Sequence, residues 1–510
     1  MVDARTYHEQ TKHSPERIRS DTFSLDFENK PRPSKQYESL PQVSLKRPPQ
    51  SVEKPVLTAV ATASPDPHPG TRSPQVGSES LQTLCHYSTG VTKTLQIHGK
   101  QRRFRAAACT GKLYHIDLYA ITGDISGLNA GVYHFDPVSN VFDVLREGDY
   151  RGVLAQAAAN QPAVTNAPVT FVVTSQWWRN AWKYRERTYR HAFWDSGTIL
   201  SNLLAVASAL NQPSSVVSGF AEEPVTRLLG IDPTEEAPLE LVPIGAGNPV
   251  PDAPDIEHVA PDETPLSDHV VDYPLIYDAW RQSTLGDAAA VRTWREQFDN
   301  GDSHAFGAPE PGDGQLVELD PVDTETATSR PVDATIERRG SLREYGDDAI
   351  SDRKFATVLD RALRGIPTDC GENASNLVSY YCLVHAVDGI PSGAYQYFPE
   401  QNVLERLGET SRRTAGHLAL DQGVVGDAAV NVYIMANVDA IVDRVGNRGY
   451  RLAQLLGGIS LGRLYLATYA HRELGGRGFT FYDDLVTEHL SPRAANQTPM
   501  TLFALGVPPN

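Results

Sequence analysis

The chain has few cysteines and no long apolar run. Only four of its 510 residues are Cys, and they form neither a C-x-x-C pair nor a spacing typical of zinc ligands. The most apolar stretch, residues 199–210, is interrupted by polar residues and is shorter than the roughly 18 residues of a membrane span. The N-terminus lacks the apolar region of a secretory signal. We therefore expect a soluble, cytoplasmic protein with free thiols, no metal site and no membrane partner.

Basic residues, and lysines above all, are also scarce. The formal net charge is −17, and only ten of the 46 basic residues are Lys. A nucleic-acid binder needs a basic surface to neutralise phosphates, so this balance argues against nucleic acid as a partner. A hydrophobic fraction of 40% with 21% charged residues is typical of a globular protein, and the length predicts two to four domains.

An internal repeat organises the chain. Residues 187–190 (Arg-Thr-Tyr-Arg) correspond to residues 448–451 (Arg-Gly-Tyr-Arg), 261 positions later. Gly197 and Gly458 match at the same offset, and so do residues 238–245 and 499–506. Further upstream, Gly131 and Gly393 match with one residue of slippage. This regularity indicates two halves that duplicated and then diverged.

Both halves show the same order of predicted elements. An apolar strand is followed by a glycine turn with a short aromatic strand, a second apolar strand, a long helix with i, i+3, i+4 apolar spacing, and a closing strand. Strands and helices mix without regular βαβ alternation, so we predict an α+β fold with a mixed or antiparallel sheet flanked by helices. The predicted ranges are 113–122, 168–174, 189–210 and 239–244 in the first half, and 377–386, 429–436, 450–474 and 500–505 in the second.

Composition suggests where the domains begin and end. Residues 1–80 are predicted to be an extended, partly disordered N-terminal segment, with a Pro/Ser/Thr-rich insertion over 51–80. Residues 246–332 are predicted to be an acidic Pro/Gly-rich linker with a short helix around 274–298. The two repeated domains then cover residues 81–245 and 333–510.

Residues 338–343 (Arg-Arg-Gly-Ser-Leu-Arg) open the second half just before a predicted helix over 351–363. Guanidinium groups bind phosphate through paired hydrogen bonds, and a neighbouring hydroxyl can add another, so this segment is a candidate anion site. A solvated basic segment or a surface Arg–carboxylate network would have the same local sequence.

Residues 177–191 form the densest aromatic and cationic stretch of the chain. They hold three of the six tryptophans and one of the ten lysines, Lys183, next to Tyr184. A lysine in apolar surroundings loses part of its preference for the charged state and can act as a base. The alternative is an amphipathic helix start that packs on the sheet.

Two further motifs carry less information. Ser218-Gly219 follows the long helix of the first half, and a glycine there would let backbone N–H groups approach a flat ligand. The spacing of Gly458, Ser460 and Gly462 matches the G-x-S-x-G elbow of serine hydrolases. That elbow needs a strand before the serine, whereas the pattern here is helical on both sides, so we do not expect a hydrolase.

Three segments together resemble a known family. Residues 338–345 resemble the R-R-S-x-R-x-[FY] opening of nitroreductase-like FMN flavoproteins. Residues 108–114 (Ala-Cys-Thr-Gly-Lys-Leu-Tyr) are similar to the P-S-A-G-A-L-Y-P segment of the SagB-type dehydrogenase (azoline oxidase) branch, and residues 183–190 resemble its K-Y…R-x-Y-R stretch.

The resemblance implies an FMN-dependent oxidoreductase built as two tandem domains that form an intramolecular pseudo-dimer, as a monomer or a further homodimer. FMN would lie in the interface between the domains, and the substrate would be a small molecule or a peptide. The residues that the resemblance assigns to FMN are Arg338, Arg339, Ser341 and Arg343 for the phosphate and ribityl chain, Cys109, Thr110 and Gly111 beside the ring, and Ser218 and Gly219 at its N5 edge. It assigns catalysis to Lys183 and Tyr184.

The two halves depart from the family pattern in different ways. The arginine motif is clear only in the second half, and the Ser218-Gly219 loop has Phe479-Thr480 as its counterpart. Lys183 and Tyr184 are replaced by Arg444 and Val445 in the repeat. The sequence therefore allows one hybrid site that oxidises azoline heterocycles of peptides. It also allows a general NAD(P)H-dependent nitro or quinone reductase, or a degenerate scaffold without catalysis.

Overall fold

A computed structural model gives the structure of the chain and describes residues 2–44, 49–61, 74–97, 99–299, 306, 310–324 and 327–509. A six-stranded sheet organises the first half, a seven-stranded sheet organises the second, and a separate two-stranded hairpin lies near the start of the first repeated domain. No helix in these ranges combines the length and the apolar content that a membrane span requires.

The first half begins within the N-terminal segment. Its elements are α1 (Ala4–Gln10), α2 (Pro15–Ser20), β1 (Gln42–Ser44), α3 (Val56–Ala61), α4 (Ser78–Thr89), β2 (Val91–Ile97), β3 (Lys100–Arg105), β4 (Ile116–Thr122), β5 (Gly131–Asp136), β6 (Val141–Glu147), α5 (Arg151–Ala157), α6 (Pro162–Thr165), β7 (Val169–Gln176), α7 (Trp177–Tyr184), α8 (Thr188–Ala209), α9 (Glu222–Leu229) and β8 (Glu236–Ile244). The sheet order is β1-β6-β5-β4-β7-β8, with every neighbouring pair antiparallel.

The linker and the second half follow. Their elements are α10 (Pro274–Arg281), α11 (Ala288–Asp299), β9 (Leu316–Glu318), α12 (Val332–Arg338), α13 (Asp352–Ala362), β10 (Ser379–Val384), β11 (Gly393–Phe398), β12 (Val403–Gly408), α14 (Arg412–Leu418), α15 (Gly423–Asp427), β13 (Val430–Ala436), α16 (Val438–Ala470), β14 (Gly475–Phe479), α17 (Asp483–Leu490) and β15 (Thr498–Gly506). The sheet order is β14-β15-β13-β10-β11-β12-β9, again antiparallel throughout.

The two sheets share one topology. The order β6-β5-β4-β7-β8 in the first half corresponds to β12-β11-β10-β13-β15 in the second. Gly131 and Gly393, matched in the sequence repeat, open the equivalent strands β5 and β11. The predicted α+β arrangement of strands and long helices is therefore present in both halves.

The central strands have no exposed face. In β4 the alternating residues Leu118 and Tyr119 are both buried, one in the main core and the other in a second core beneath α5 and α9. Side chains alternate between the faces of a strand, so a strand that is covered on both sides reads as a continuous apolar run. This is why the sequence pattern of these strands shows little alternation.

The long helices α8 and α16 cross at glycines, and this crossing joins the two halves. A Cβ atom at Gly197 would lie 2.3 Å from the carbonyl carbon of Gly458, so only glycine allows this approach. The Ser201 hydroxyl donates to the carbonyl of Ile459 across the crossing, at 2.8 Å. Ser460 is fully buried inside α16, which confirms that the G-x-S-x-G spacing here is helix packing and not a nucleophile elbow.

The N-terminal segment differs from the sequence prediction. It is not simply extended, since Tyr7 of α1 is fully buried and β1 extends the first sheet. Helix α3 falls within residues 51–80, which were predicted to be a disordered insertion, and most of its side chains are buried. Helix α4 spans residue 81, which was predicted to be a domain boundary. Residues 62–73 of that insertion lie outside the described residues. Helix α3 was not predicted because the surrounding sequence is rich in proline. Its position depends on a long-range hydrogen bond, in which the Val56 N–H donates to the carbonyl of Arg330 at 3.0 Å.

The linker also holds more structure than predicted. Two helices, α10 and α11, replace the single short helix expected around 274–298, and their residues Trp280 and Trp294 are buried. Strand β9 adds to the edge of the second sheet. The linker therefore packs on the repeated domains and contributes to the sites at their interface.

Candidate active site at the interface of the two halves

The segment that resembles the family's flavin-ring motif forms a tight turn. Residues Thr110–Lys112 make one turn of 3-10 helix, in which Gly111 has φ +62°. A Cβ atom at Gly111 would lie 2.8 Å from the Tyr184 hydroxyl. Glycine is therefore needed both for the backbone conformation and for the close approach of the tyrosine.

Asp195 of α8 fixes this turn from below. Its carboxylate accepts from the backbone N–H and the hydroxyl of Thr110, at 2.9 and 2.7 Å, and from the Cys109 thiol at 3.1 Å. His115 lies 3.0 Å from the same carboxylate. Burial and the Asp195 charge raise the pKa of the Cys109 thiol well above its ordinary value, so it stays protonated. The side chains of Cys109 and Thr110 thus face α8, and the part of this segment against Tyr184 is Gly111.

Lys183 and Tyr184 lie side by side at the end of α7. The helix ends at Arg185, whose positive φ of 49° turns the chain sharply. The Lys183 Nζ lies 5.1 Å from the centre of the Tyr184 ring, although neighbours within a helix normally point apart. Burial, with repulsion from Lys30 and Arg477, lowers the pKa of the Lys183 ammonium.

The second half contributes the arginine segment, with a different use for each side chain. Arg338 donates to the carbonyls of Tyr469 and His471 at the end of α16, so its donors are used within the second half. Arg339 donates to the carbonyls of Ala106 at 3.0 Å and of Arg105 at 3.1 Å in the first half. Arg339 therefore joins the two halves. The side chains of Ser341 and Arg343 are exposed to solvent.

Four cations lie around this turn, Lys112 and Lys183 from the first half and Arg343 and Arg477 from the second. Burial and repulsion from Arg343, Arg102 and Arg477 lower the pKa of Lys112. Arg477, on β14, also acts on Lys183 and Tyr184. None of these cations forms an ion pair or a side-chain hydrogen bond with another described residue. We call this region the open site; it comprises Gly111, Lys112, Lys183, Tyr184, Ser341, Arg343 and Arg477.

The Ser218-Gly219 loop lies at a second interface position, away from the open site. The Asp369 carboxylate accepts from both backbone N–H groups, at 2.7 Å for Ser218 and 2.9 Å for Gly219. Arg295 of α11 donates to the same carboxylate at 2.6 Å and to the Gly219 carbonyl. A Cβ atom at Gly219 would also be 3.2 Å from the Trp294 ring. We call this region the closed site; it comprises Ser218, Gly219, Trp294, Arg295 and Asp369.

Comparison with known proteins places the first repeat in a family. The Nitroreductase family matches residues 102–246, which include β3 to β8, the turn at Gly111 and the Lys183–Tyr184 pair. Residues 102–246 form a nitroreductase-family domain. A nitroreductase-like protein of Methanocaldococcus jannaschii is 25% identical over 145 residues, which are 28% of this chain and 72% of that protein. The similarity covers the first repeat, and these comparisons show no cofactor for this chain.

The tandem architecture also has a solved counterpart. The crystal structure of a nitroreductase-like protein of Anabaena variabilis covers 99% of this chain and 99% of its own, with a TM-score of 0.75 and 23% sequence identity. The predicted fold class, two nitroreductase-like domains in one chain, is therefore confirmed.

Of the eleven residues predicted for the site, the structure brings five into the open site. Cys109 and Thr110 bind Asp195 instead, and Arg338 and Arg339 bind backbone carbonyls. The nitroreductase-family domain supplies Gly111, Lys183 and Tyr184, and the second half supplies Ser341 and Arg343. Ser218 and Gly219 lie in the closed site instead.

Sequence reasoning missed five of the residues that define the two sites, namely Lys112 and Arg477 in the open site and Trp294, Arg295 and Asp369 in the closed site. Arg477 could have been found from the repeat, because it lies two residues before Phe479, the counterpart of Ser218. Asp195 and Asp369 carry no local signal, since their partners are distant in sequence.

Proposed function

We propose that the chain binds one FMN in the open site and works as a SagB-type dehydrogenase. The observation that carries this proposal is the convergence of unpaired cations from both halves beside the Lys183–Tyr184 pair. The protein as a whole is acidic, with a net charge of −17, so a cluster of cations without acidic partners is unusual in it. Such a cluster is best explained by a bound anion, which would offset the repulsion between the cations.

The residues present fit a flavin phosphate. Arg343 and Arg477 offer guanidinium groups, and Lys112 adds an ammonium group, all without a carboxylate partner among the described residues. Arginine binds phosphate through paired, charge-assisted hydrogen bonds, which are the strongest that a side chain offers. Ser341, in the same segment, is exposed, and its hydroxyl has no hydrogen-bond partner among the described residues. The closed site does not fit, since the Asp369 carboxylate already satisfies the N–H groups of Ser218 and Gly219.

The chemistry follows from what lies beside the cations. When bound, FMN accepts a hydride from the substrate. Oxidation of an azoline ring also removes a proton from carbon, and Lys183 can accept that proton because its pKa is lowered. Tyr184 is positioned by Gly111 and stays protonated, since burial raises its pKa, so it can donate a hydrogen bond to the substrate.

General NAD(P)H-driven reduction of nitro or quinone compounds is the second candidate. It needs an accessible flavin and no base, so the unpaired cations support it equally well. The lowered pKa of Lys183 next to Tyr184 favours the dehydrogenase, because a reductase has no evident use for that pair.

The deciding experiment is reconstitution of the purified chain with FMN, removal of free flavin by gel filtration, and quantification of the flavin released on denaturation. We expect a yellow protein with about one FMN per chain, because one interface site fits and the other does not. A colourless protein without extractable flavin would overturn the proposal and favour a scaffold that has kept the fold alone.

A further inference from the structure

The hairpin β2–β3 is unusual in an acidic protein. Residues 91–105 contain five Lys or Arg and no Asp or Glu, although acidic residues outnumber basic ones in the chain as a whole. Two of the ten lysines, Lys93 and Lys100, are in this hairpin. Positive charge is therefore concentrated here against the overall composition.

One face of the hairpin combines these cations with apolar surface. Lys93 pairs with Phe104 and Leu95 pairs with Arg102 across the two strands, so all four side chains lie on the same face. Lys100 shares that face because side chains alternate along β3. Leu95 is 44% exposed. Arg103 lies on the opposite face and is also exposed.

This face leads to the open site. The Lys112 Nζ lies 4.4 Å from the centre of the Phe104 ring, and Arg102 is close enough to lower the Lys112 pKa. The cationic surface is thus continuous from the hairpin to Arg343 and Arg477. We call Lys93, Leu95, Lys100, Arg102 and Phe104 the hairpin face.

The hairpin is also free to pair with another strand. Strands β2 and β3 pair only with each other among the described strands, so each has an outer edge without a neighbour. A six-residue strand such as β3 is about 20 Å long, which suits an extended polypeptide better than a small anion. Extended peptides bind such edges by main-chain hydrogen bonds, and side chains at alternate positions give specificity.

We propose that the hairpin face docks an acidic, extended segment of a partner protein beside the open site. Carboxylates of the partner would pair with Lys93, Lys100 and Arg102, while an apolar residue would cover Leu95. Nucleic acid fits less well, because the remainder of the chain is strongly acidic and would repel a long polyanion. The proposal needs no flavin and stands independently of the enzymatic activity.

The test is fluorescence anisotropy with the full chain and a fluorescein-labelled peptide of alternating Glu and Thr, about ten residues long to match the hairpin. The reference peptide has Gln in place of Glu. Arg102→Glu places a repelling charge on the hairpin face, and Arg103→Glu places the same charge on the opposite face, so the two variants are matched neighbours. Lys100→Glu is a second variant on the hairpin face, and thermal melting establishes that all of them are folded.

We expect the acidic peptide to bind at least about tenfold more tightly than the Gln peptide, with affinity that falls as salt is added. Arg102→Glu and Lys100→Glu should each weaken it about tenfold, and Arg103→Glu by less than about threefold. The proposal is overturned by absence of binding, by equal effects of Arg102→Glu and Arg103→Glu, or by tighter binding of a single-stranded oligonucleotide than of the acidic peptide. The first result would mean that the charges only protect an exposed strand edge from aggregation.

Discussion

The open and closed sites occupy comparable places in the two halves, and they differ in how charge is satisfied. In the closed site the Ser218 and Gly219 N–H groups, Arg295 and Asp369 satisfy one another. The counterpart of that loop, Phe479-Thr480, follows Arg477, which forms no ion pair with any acid among the described residues. The charges of the closed site are thus satisfied within the protein, while the cations of the open site have no acidic partner in the described part of the chain.

The linker explains how this asymmetry arose. Helix α11 supplies Trp294 and Arg295 to the closed site, and the linker has no second copy that could close the open site. The arginine segment likewise has no basic counterpart, since the residues 261 positions earlier, 77–82, contain neither Lys nor Arg. A duplicated fold can therefore keep one functional interface while the other becomes structural.

The largest effect is expected from reversing charge in the open site. Arg343→Glu should weaken FMN binding at least about a hundredfold, because it removes a guanidinium and places a carboxylate beside the phosphate. Flavin retained after gel filtration measures this. Arg353→Glu, an equally exposed arginine on α13, is the control and should keep its flavin. Full flavin content in the Arg343 variant would show that the anion site lies elsewhere.

Removing the base should affect turnover and leave flavin binding intact. Lys183→Ala is expected to lower kcat for azoline oxidation about a hundredfold, since general bases contribute about that much or more. In the native protein the rate should fall as pH drops below the Lys183 pKa, because a protonated lysine accepts no proton. That limb should lie at lower pH than for a free lysine and be absent from the variant.

Lys354→Ala serves as the surface-lysine control for Lys183, and Tyr184→Phe tests the hydroxyl separately. If both site variants keep full turnover on every accepted substrate, the assignment of a base is wrong and general nitro or quinone reduction is the better description.

The closed site should respond to mutation in stability and not in flavin content. Asp369→Ala leaves Arg295 and two N–H groups without their acceptor, so we expect a loss of about 3 kcal/mol in the free energy of unfolding. FMN should remain at about one per chain, since Trp294 and Arg295 still occupy the loop. Urea unfolding and flavin extraction measure these quantities, with exposed Asp347→Ala as control. Two FMN per variant chain would contradict the structural role.

Much of the fold could be predicted because its signals are periodic and repeated. The apolar spacing of the long helices is enough to predict them. Gly197 and Gly458 match at the repeat offset because both glycines are needed where the two helices cross. The N-terminal boundary could not be predicted, because α3 is stabilised by pairing between Val56 and Arg330, 274 residues apart in sequence. Helix propensity depends on nearby residues, so it cannot indicate such a long-range contact.

In the candidate site, too, the features that are local in sequence could be predicted, and those that depend on long-range contacts could not. Lys183 and Tyr184 are adjacent in a recognisable segment, and their convergence needs only the end of a helix. The hydrogen bonds from the Ser218 and Gly219 N–H groups to the Asp369 carboxylate join positions about 150 residues apart. They also depend on α11, because its Arg295 donates to the same carboxylate. Arg338 shows a different limit, since an arginine in a phosphate-binding pattern can instead donate to the carbonyls at the end of another helix, here α16.

A smaller difference between the halves concerns one buried acid. Glu240 on β8 is fully buried and accepts from the Ser196 hydroxyl at 3.3 Å, whereas its repeat counterpart on β15 is Thr501, which donates to the carbonyl of Gly457. Burial raises the pKa of Glu240 to about 8, against smaller opposing effects of Ser196, Arg451 and Arg448. The first half therefore contains a titratable group where the second half has a neutral one.

This acid should make the folded state less stable as pH rises. Because its pKa is higher in the folded state than in the unfolded chain, folding retains a proton between about pH 4.5 and 8, and stability is lost progressively across that window. Glu240→Gln mimics the protonated acid, so it should match the native protein near pH 4 and exceed its free energy of unfolding by about 5 kcal/mol near pH 8.5, since one pKa unit corresponds to about 1.4 kcal/mol. Urea unfolding at both pH values measures the difference, and Glu488→Gln, on the surface of α17, should show none. An equal pH dependence of the native and Glu240→Gln proteins would mean that Glu240 is ionised in the folded state, held by Arg451 and Arg448 more strongly than burial opposes it.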